Sequence, residues 1–524
     1  MTGTTPTTLS LSLVSHTNAG KTTLARTLLG RDVGEVRDAP HVTERAEAHA
    51  LITSDCGDRL LLWDTPGLGD SQRLARRLAL QGRPLGWLLS QVWDRWRDRP
   101  FWASQQAIRH VMDQTDVALY LVNAAEAPED AAYLAPELQV LALLDKPVIV
   151  LLNQLGSPAS PEADARLCQR WHDHLAGLAG VRAVLPLDAF ARCWLQEAVL
   201  LQAVAQALPA DQQAAMARLQ AAWVATQRQT WQAAVDTLGD RLVLAALDRQ
   251  RLPQAGWGVP LQAMRGAVAG KLGRALGWEG LAGSDPQAQA MAALAGRLDV
   301  QIRRSMDVLL GLHRVPGRAQ GELLDRLAHH FARREPASEG KAALWGGLVT
   351  GALAGLKADL ASGGLTLGGG LLLGGVLGAL GAAGAVRGVN RIRGRDQAWL
   401  AWDTPVLEAL LRSALLAYLA VAHHGRGRGE WQQDGPPPAW SDAVQAVLDA
   451  RQAAWAGLWR QRQAWLEVGG APDAAAGAAP ALAPPAFHAT LQQLLAETCA
   501  DVLARLYPDA SARVDLDHWA KAPH

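Results

Sequence analysis

One octapeptide near the amino terminus limits what this chain can fold into more than any other feature. Residues 15–22 read Ser15-His16-Thr17-Asn18-Ala19-Gly20-Lys21-Thr22, one substitution away from the phosphate-loop pattern GxxxxGK[ST]. The leucine-rich run Leu9–Val14 before it reads as a short strand, and Thr23–Leu29 after it reads as a helix. Strand, loop and helix in that order are the setting the pattern needs, because successive backbone N–H groups and a helix N-terminus together make a concave anion site. The expected binding set is Ser15, Thr17, Asn18, Ala19, Gly20, Lys21, Thr22 and Thr23. In it Lys21 reaches the β- and γ-phosphates of a nucleotide, and the Thr22 hydroxyl holds Mg²⁺. Ser15 stands where glycine is usual, so the first turn must accept a small side chain.

A second phosphate motif follows in the right order. Leu60-Leu61-Leu62-Trp63-Asp64-Thr65-Pro66-Gly67 is an apolar strand run ending in DxPG. It places a carboxylate at the carboxyl end of a strand, where open α/β sheets bind their ligands. Asp64 is expected to hold Mg²⁺ through water, and the Gly67 amide to sense the γ-phosphate. Between the motifs, the polar stretch 38–44 offers Thr43 as a residue that closes over Mg²⁺.

On these residues the chain resembles, over roughly residues 8–195, the TrmE–Era–EngA branch of small GTPases, which carries T/P-N-x-G-K-[ST] and D-T-P-G. Within that branch it is similar to a bacterial group of GTPases fused to an uncharacterised helical C-terminal domain. The matching stretches are Ser15–Thr22, Asp64–Leu68, Leu151-Leu152-Asn153-Gln154 and Leu187–Trp194. The resemblance implies GTP and GDP as ligands, hydrolysis of GTP with Mg²⁺ bound by Thr22, Thr43 and Asp64, and catalytic roles for Lys21, Thr43 and Gly67. It also implies that Asn153 and Gln154 belong to the base-reading loop, and that Asn18 can help bind K⁺.

Two departures qualify this picture. Guanine is normally read by NKxD, but the strand Val148–Leu152 runs into Asn153-Gln154-Leu155-Gly156, which lacks both the lysine and the specifying aspartate. A site discriminates strongly through a base's polar edge only if the partner group is present, so base choice between GTP and ATP stays open. Leu68 stands where Ras-like proteins carry the glutamine that orients water. Slow intrinsic turnover is therefore expected, faster with K⁺ or on self-association as a homodimer through the nucleotide-binding domain.

The strand candidates are 9–14, 47–53, 59–63, 117–122, 147–152 and 181–185, with 47–63 as a hairpin turning at Asp55-Cys56-Gly57-Asp58. They predict an α/β P-loop domain with a mostly parallel sheet and helices on both faces over residues 1–198. An insertion at 71–113 carries Trp87, Trp93, Trp96 and Trp102 among arginines. It reads either as an amphipathic helix for an interface or lipid headgroups, or as a helical extension packed on the chain's own C-terminal part.

Beyond 200 the chain reads as mostly α-helical. A helical domain spans 199–335, with helices over 200–252 broken at Leu208-Pro209-Ala210, then near 259–277 and 285–332. A glycine-rich apolar hairpin spans 336–395. A helical region at 396–524 holds helices near 396–424, 440–467 and 486–507, with an Ala/Pro-rich linker at 469–485. Within 342–386 the only charges are Lys357 and Asp359, and residues 360–386 have none, longer than the ~20 residues a bilayer crossing needs. Glycines recur every four residues at Gly347-Gly351-Gly355 and Gly370-Gly374-Gly378, a spacing that lets helices approach closely in lipid. Arg387, Arg391, Arg393 and Arg395 follow, a cluster suited to the anionic cytoplasmic face. The competing reading is a glycine-rich hairpin buried in a soluble helical domain.

Lys plus Arg and Asp plus Glu both total 50, so no long-range steering of nucleic acid is expected, and no nucleic-acid partner. Cys56, Cys168, Cys193 and Cys499 have no CxxC spacing and read as thiols in a reducing cytoplasm. Met1–Ser15 lacks a basic leader region, which places the nucleotide-binding domain in the cytoplasm, peripheral to or inserted in the inner face of the cell membrane. The expected function is a GTP-dependent switch coupled to a membrane or a membrane partner. The alternative is a soluble nucleotide-binding regulator or scaffold with weak hydrolysis.

Overall fold

The first strand, β1 (Thr8–Ser15), alternates leucine and serine yet is buried from Leu9 onward. A central strand covered on both faces normally reads as an unbroken apolar run. Here the serines are tolerated because they find partners: the buried Ser12 hydroxyl lies 2.6 Å from Thr115 Oγ1. The structure is a computed structural model. It describes residues 5–16, 19–31, 46–68, 99–155, 161–178, 180–187, 194–251, 286–315, 389–393, 398–424, 437–467 and 485–521, with residues 320, 323, 324 and 327.

The chain divides into two compact units. Unit 1 comprises residues 1–229, 422–432 and 507–515; unit 2 comprises 230–421, 433–506 and 516–524. The division near 229 falls inside a continuous helix rather than at a linker, whereas the sequence reading drew its boundary at 198.

In unit 1, β1 is followed by α1 (Lys21–Leu29), β2 (Glu47–Thr53), β3 (Arg59–Asp64), α2 (Arg99–Gln114), β4 (Val117–Asn123), α3 (Leu134–Leu143), β5 (Val148–Asn153), α4 (Pro161–Leu175), β6 (Val181–Pro186), α5 (Trp194–Ala207) and the start of α6 (Ala210–Leu247). The sheet order is β2-β3-β1-β4-β5-β6, with β2 antiparallel to β3 and every other pairing parallel. Each strand lies within two residues of its expected bounds. From β1 the chain crosses to β3 on one side and β4 on the other, so a crevice opens at the carboxyl end of β1. Val14, Tyr120, Val122, Leu138, Val150 and Trp171 form part of the core on one face.

The β2–β3 turn is clipped from outside the sheet. Buried Asp58 accepts Arg218 of α6 at 2.7 and 3.1 Å, the Thr7 amide at 3.0 Å and the Ser54 hydroxyl at 3.0 Å. The Arg218 hydrogen bond leads in holding the Asp58 carboxyl down to about 2, against an ordinary value of 3.8. A depressed folded value makes this contribution fully present above the ordinary pKa and lost as pH falls through the folded one. Arg218→Met is accordingly expected to destabilise the chain at pH 7, with the deficit shrinking between pH 4 and pH 2. Urea unfolding at both ends of that window checks it; an equal deficit at pH 7 and pH 2 contradicts it.

Unit 2 holds the remainder of α6 and β7 (Arg249–Arg251), α7 (Pro286–Leu312), β8 (Val389–Arg393), β9 (Ala398–Trp402), α8 (Thr404–Ala422), α9 (Pro438–Ala450), α10 (Gln452–Glu467), α11 (Pro485–Leu506) and α13 (Leu516–Lys521); α12 (Pro508–Val514) packs on α5 in unit 1. A three-stranded antiparallel sheet, β7-β9-β8, lies among these helices. This corrects two helical expectations. Residues 249–251 leave the helix to pair with β9, and 398–402 form that strand instead of opening a helix at 396. The helix starts only at Thr404, where Asp403 Oδ1 accepts the Val406 amide at 3.0 Å as an N-cap. A short apolar run such as Ala398-Trp399-Leu400-Ala401-Trp402 does not distinguish strand from helix by period.

The expected helix over 440–467 is two helices parted at Arg451, whose guanidinium pairs with Glu497 at 2.7 Å and Asp501 at 2.5 Å. Helix α7 spans Pro286–Leu312, and beyond it the described residues 320, 323, 324 and 327 are helical as well. Buried Arg462 donates to the Ala246 and Trp402 carbonyls at 2.6 and 2.7 Å, joining α6, β9 and α10. Among the described residues α8 is long and apolar enough to cross a membrane, but it is mostly buried within the protein. The glycine-rich stretch 342–386, residues 71–98 of the Trp/Arg-rich insertion, the helix near 259–277 and the linker at 469–484 lie outside the described residues.

Candidate nucleotide-binding site

The crevice at the end of β1 collects the residues the motifs single out. The loop after β1 carries Ala19 and Gly20 into α1, whose first residues are Lys21, Thr22 and Thr23. Asp64 ends β3, and buried Thr65, Pro66 and Gly67 follow it. Asn153 ends β5, and Gln154 follows in the left-handed conformation at φ 58°. Ser15, Asp64 and Asn153 therefore sit at carboxyl ends of parallel strands, and Lys21, Thr22 and Thr23 in the first turn of the helix that opens there. Thr17, Asn18 and Thr43 lie outside the described residues, as does Gly156.

Gly20 is required here on two grounds. Its φ of 87° lies in the left-handed region, and a Cβ built on it would sit 2.8 Å from Asn153 Nδ2. Asn153 has a reason to be that close: its buried amide donates to the Ala19 carbonyl at 2.8 Å. Asn153 thus braces the phosphate loop itself.

The charged groups are buried and underpaired. Lys21 donates to the Ser15 hydroxyl at 2.8 Å, and that hydroxyl donates to the His16 carbonyl at 2.6 Å. The substitution of serine for glycine at 15 is thereby absorbed, since the extra hydroxyl becomes a relay between Lys21 and the loop backbone. Burial pushes the Lys21 ammonium below its ordinary value, with Asp64 and Glu137 pulling it back. Burial likewise pushes the Asp64 carboxyl up, opposed by the Thr22 hydrogen bond and Lys21. Thr22 Oγ1 donates to Asp64 Oδ2 at 2.5 Å, while Asp64 Oδ1 is buried with no hydrogen-bond partner among the described residues.

A hydroxyl and a carboxylate in contact, one carboxylate oxygen orphaned, fit a magnesium ion. Mg²⁺ keeps most of its waters and takes one or two protein ligands together with substrate phosphates. A buried ammonium beside it fits the phosphates.

Sequence reasoning missed a polar group behind the loop. Glu137 of α3 pairs with His16 Nδ1 at 2.8 Å and accepts the Tyr120 hydroxyl at 2.6 Å. The hydrogen bond to Glu137 leads in raising the His16 pKa, against the effect of burial. The one available signal was an acid inside the apolar run Leu134–Leu144.

Comparisons with known proteins agree with this geometry. Residues 10–154 match the family described as 50S ribosome-binding GTPase, and residues 331–479 match a domain of unknown function, DUF3482. Over 163 residues the chain is 28% identical to GTPase Era of Desulfovibrio desulfuricans, covering 31% of this chain and 46% of that protein. The chain thus spans about half the length of this curated relative. Among solved structures, an Aquifex aeolicus Era variant bound to GDP and aluminium fluoride aligns at 18% identity and a TM-score of 0.30, over 39% of this chain and 57% of its own. Era in complex with MgGDPNP and nucleotides 1506–1542 of 16S ribosomal RNA aligns equally, over 39% and 58%. Residues 10–154 belong to a GTP-binding P-loop GTPase domain of the TrmE–Era–EngA-like kind, carried in one chain with a further C-terminal domain of unknown function.

Proposed function

We propose that this chain is a Mg²⁺-dependent GTPase switch whose nucleotide state is coupled, through its C-terminal part, to a membrane or a membrane partner. The observation that carries the catalytic half is the pair of stranded charges: Lys21 pushed down and Asp64 pushed up by burial, with Asp64 Oδ1 unpartnered among the described residues beside Thr22. A Mg²⁺–triphosphate complex supplies the missing partner to each. Lys21 binds the β- and γ-phosphates, Thr22 and Asp64 hold the ion, Thr43 closes over it, and the Gly67 amide senses the γ-phosphate. Held there, Mg²⁺ would supply charge that offsets the charge developing on the phosphates. Leu68 has no group to orient water, so turnover is slow unless K⁺ near Asn18 or a second copy of the chain adds positive charge.

The membrane half is supported by sequence: the uncharged stretch 360–386 and the arginines that follow it, within the span of the domain of unknown function. In this reading the chain works at the cytoplasmic face of the cell membrane.

A second reading is favoured by the base loop. With Gln154 and Gly156 in place of the lysine and aspartate of NKxD, and Leu68 in place of glutamine, the protein is a soluble nucleotide-binding regulator that barely hydrolyses and is less strict about its base.

Competition binding of GTP against ATP, and hydrolysis with and without liposomes in K⁺ and in Na⁺, separate the two. We expect GTP preference and a higher rate with lipid and K⁺. Tight binding without turnover in every condition, and no liposome binding in any nucleotide state, leaves the soluble regulator.

A further inference from the structure

Helix α3 carries one acid on an otherwise apolar core face. Leu134, Leu138 and Leu141 are buried there, and Glu137 between them is 0% exposed. A carboxylate in such a place is costly unless its oxygens are satisfied. Each of its oxygens has a partner on a different element. His16 Nδ1 lies 2.8 Å from Oε1, and since an ionised carboxylate only accepts, the imidazole donates. The Tyr120 hydroxyl of β4 donates to Oε2 at 2.6 Å.

His16 is the second residue of the phosphate loop, and it is gripped a second time from the same span of chain. Its ring stacks on Tyr133, immediately before α3, with centroids 4.7 Å apart and planes 21° from parallel. On the other side the loop is held to the exit of β3. His16 forms a parallel bridge to Leu68, whose amide donates to the Ser15 carbonyl at 2.9 Å. The start of the loop is therefore clamped between the DTPG segment and α3, and Glu137 is the buried anchor of the α3 side.

We propose that Glu137 is a positioning residue of the nucleotide site: through His16 it fixes the start of the phosphate loop at Ser15 and His16, and so the path on which the chain leaves β1. The proposal rests on the nucleotide-binding reading above. Stability alone gives little reason for this polar group, since replacing a buried pair as a whole by apolar residues is often neutral or stabilising. An acid whose partner sits on the loop makes sense where loop geometry matters. A loop misplaced by about an ångström loses on the order of 10- to 100-fold in rate or affinity.

The test uses the full chain, wild type and with Glu137→Leu, Glu137→Gln, His16→Leu and the double Leu variant. Calorimetry gives Kd for GTP with Mg²⁺ and for GDP; steady-state hydrolysis gives kcat and KM; thermal unfolding is followed without nucleotide. Glu137→Leu is expected to weaken GTP binding about tenfold or more and to lower kcat, beyond what the lower ligand-free Tm left by the stranded Tyr120 hydroxyl accounts for. Glu137→Gln, which keeps the shape and can bond both neighbours, recovers most of the loss. The double variant is no worse than the poorer single, because both act through one contact. Wild-type-like binding and turnover by Glu137→Leu overturns the proposal. So do additive losses in the double variant, or losses that track a fall in ligand-free Tm in both position-137 variants. If the wild type takes up neither GTP nor GDP, the nucleotide reading fails and the proposal fails with it, an outcome distinct from all the others.

Discussion

Replacing Lys21 with alanine is expected to remove nucleotide binding from this chain while leaving it folded. Lys21 Nζ is buried in the crevice with the Ser15 hydroxyl at 2.8 Å as its side-chain hydrogen-bond partner, and burial pushes its pKa down. An ammonium held there without a full counter-ion is stabilised most by an anionic ligand, and a charge-assisted bond in a desolvated site is about twice as strong as a neutral one. Truncating one partner of a buried, hydrogen-bonded charge pair costs about 3 kcal/mol, on the order of 100-fold in Kd. Titration calorimetry with GTP and Mg²⁺ measures this directly. The ligand-free protein gives up a hydrogen bond to a serine and the attraction to Asp64 but is relieved of a buried ammonium, so its Tm should move by no more than a few degrees. Wild-type affinity in Lys21→Ala would mean that the crevice is not where phosphates bind.

The largest stability effect is expected at Gly20. Alanine there must hold a φ of 87°, which costs about 1–2 kcal/mol for a residue with a Cβ. Its methyl would also meet Asn153 Nδ2 at 2.8 Å. Asn153 cannot retreat freely, because its amide is the buried partner of the Ala19 carbonyl and losing that bond adds about 1–3 kcal/mol. Gly20→Ala should therefore destabilise unit 1 by about 3 kcal/mol, roughly 6–12 °C in Tm, and weaken nucleotide binding along with it. Gly177 provides the control. It too has a positive φ, of 92°, but a Cβ there meets nothing within 4 Å, so Gly177→Ala should show the backbone strain alone. Equal Tm shifts for the two variants would rule out the Asn153 contact as a cause.

The strands of unit 1 were legible because most are compact apolar runs bounded by polar or glycine-containing turns, and because β2, of mixed polarity, is joined to β3 by the local hairpin 47–63. The motif residues were legible for the same reason: a phosphate loop is built by contiguous chain. The small sheet of unit 2 was not. Arg249–Arg251 is three residues of arginine and glutamine with no strand signature, and it pairs with Ala401, Leu400 and Trp399 some 150 residues away. Propensity gave way there to a partner that no local window contains.

The site shows the same division. Asn153 was assigned to the base loop from its position in a degenerate NKxD, and the structure also gives it a second task, bracing Ala19. Ser15 looked like a bare departure from the motif, whereas its hydroxyl links Lys21 to the His16 carbonyl. Glu137 had no motif to announce it, because its meaning lies in His16, 121 residues earlier. Asp58 likewise looks like an ordinary turn residue until Arg218 of α6 is brought against it.

By itself the amino-acid sequence determined the strand–loop–helix with its phosphate chemistry, the second carboxylate motif and the mostly parallel sheet that holds both. Those depend on neighbouring residues, whose backbone geometry and side-chain chemistry are set locally. The three-dimensional arrangement alone decided what holds the loop in place: Asn153 on Ala19, Glu137 on His16, and Thr22 against Asp64. These pairings join residues far apart along the chain, and burial, which gives each hydrogen bond its worth and each lone charge its cost, exists only once the chain has folded.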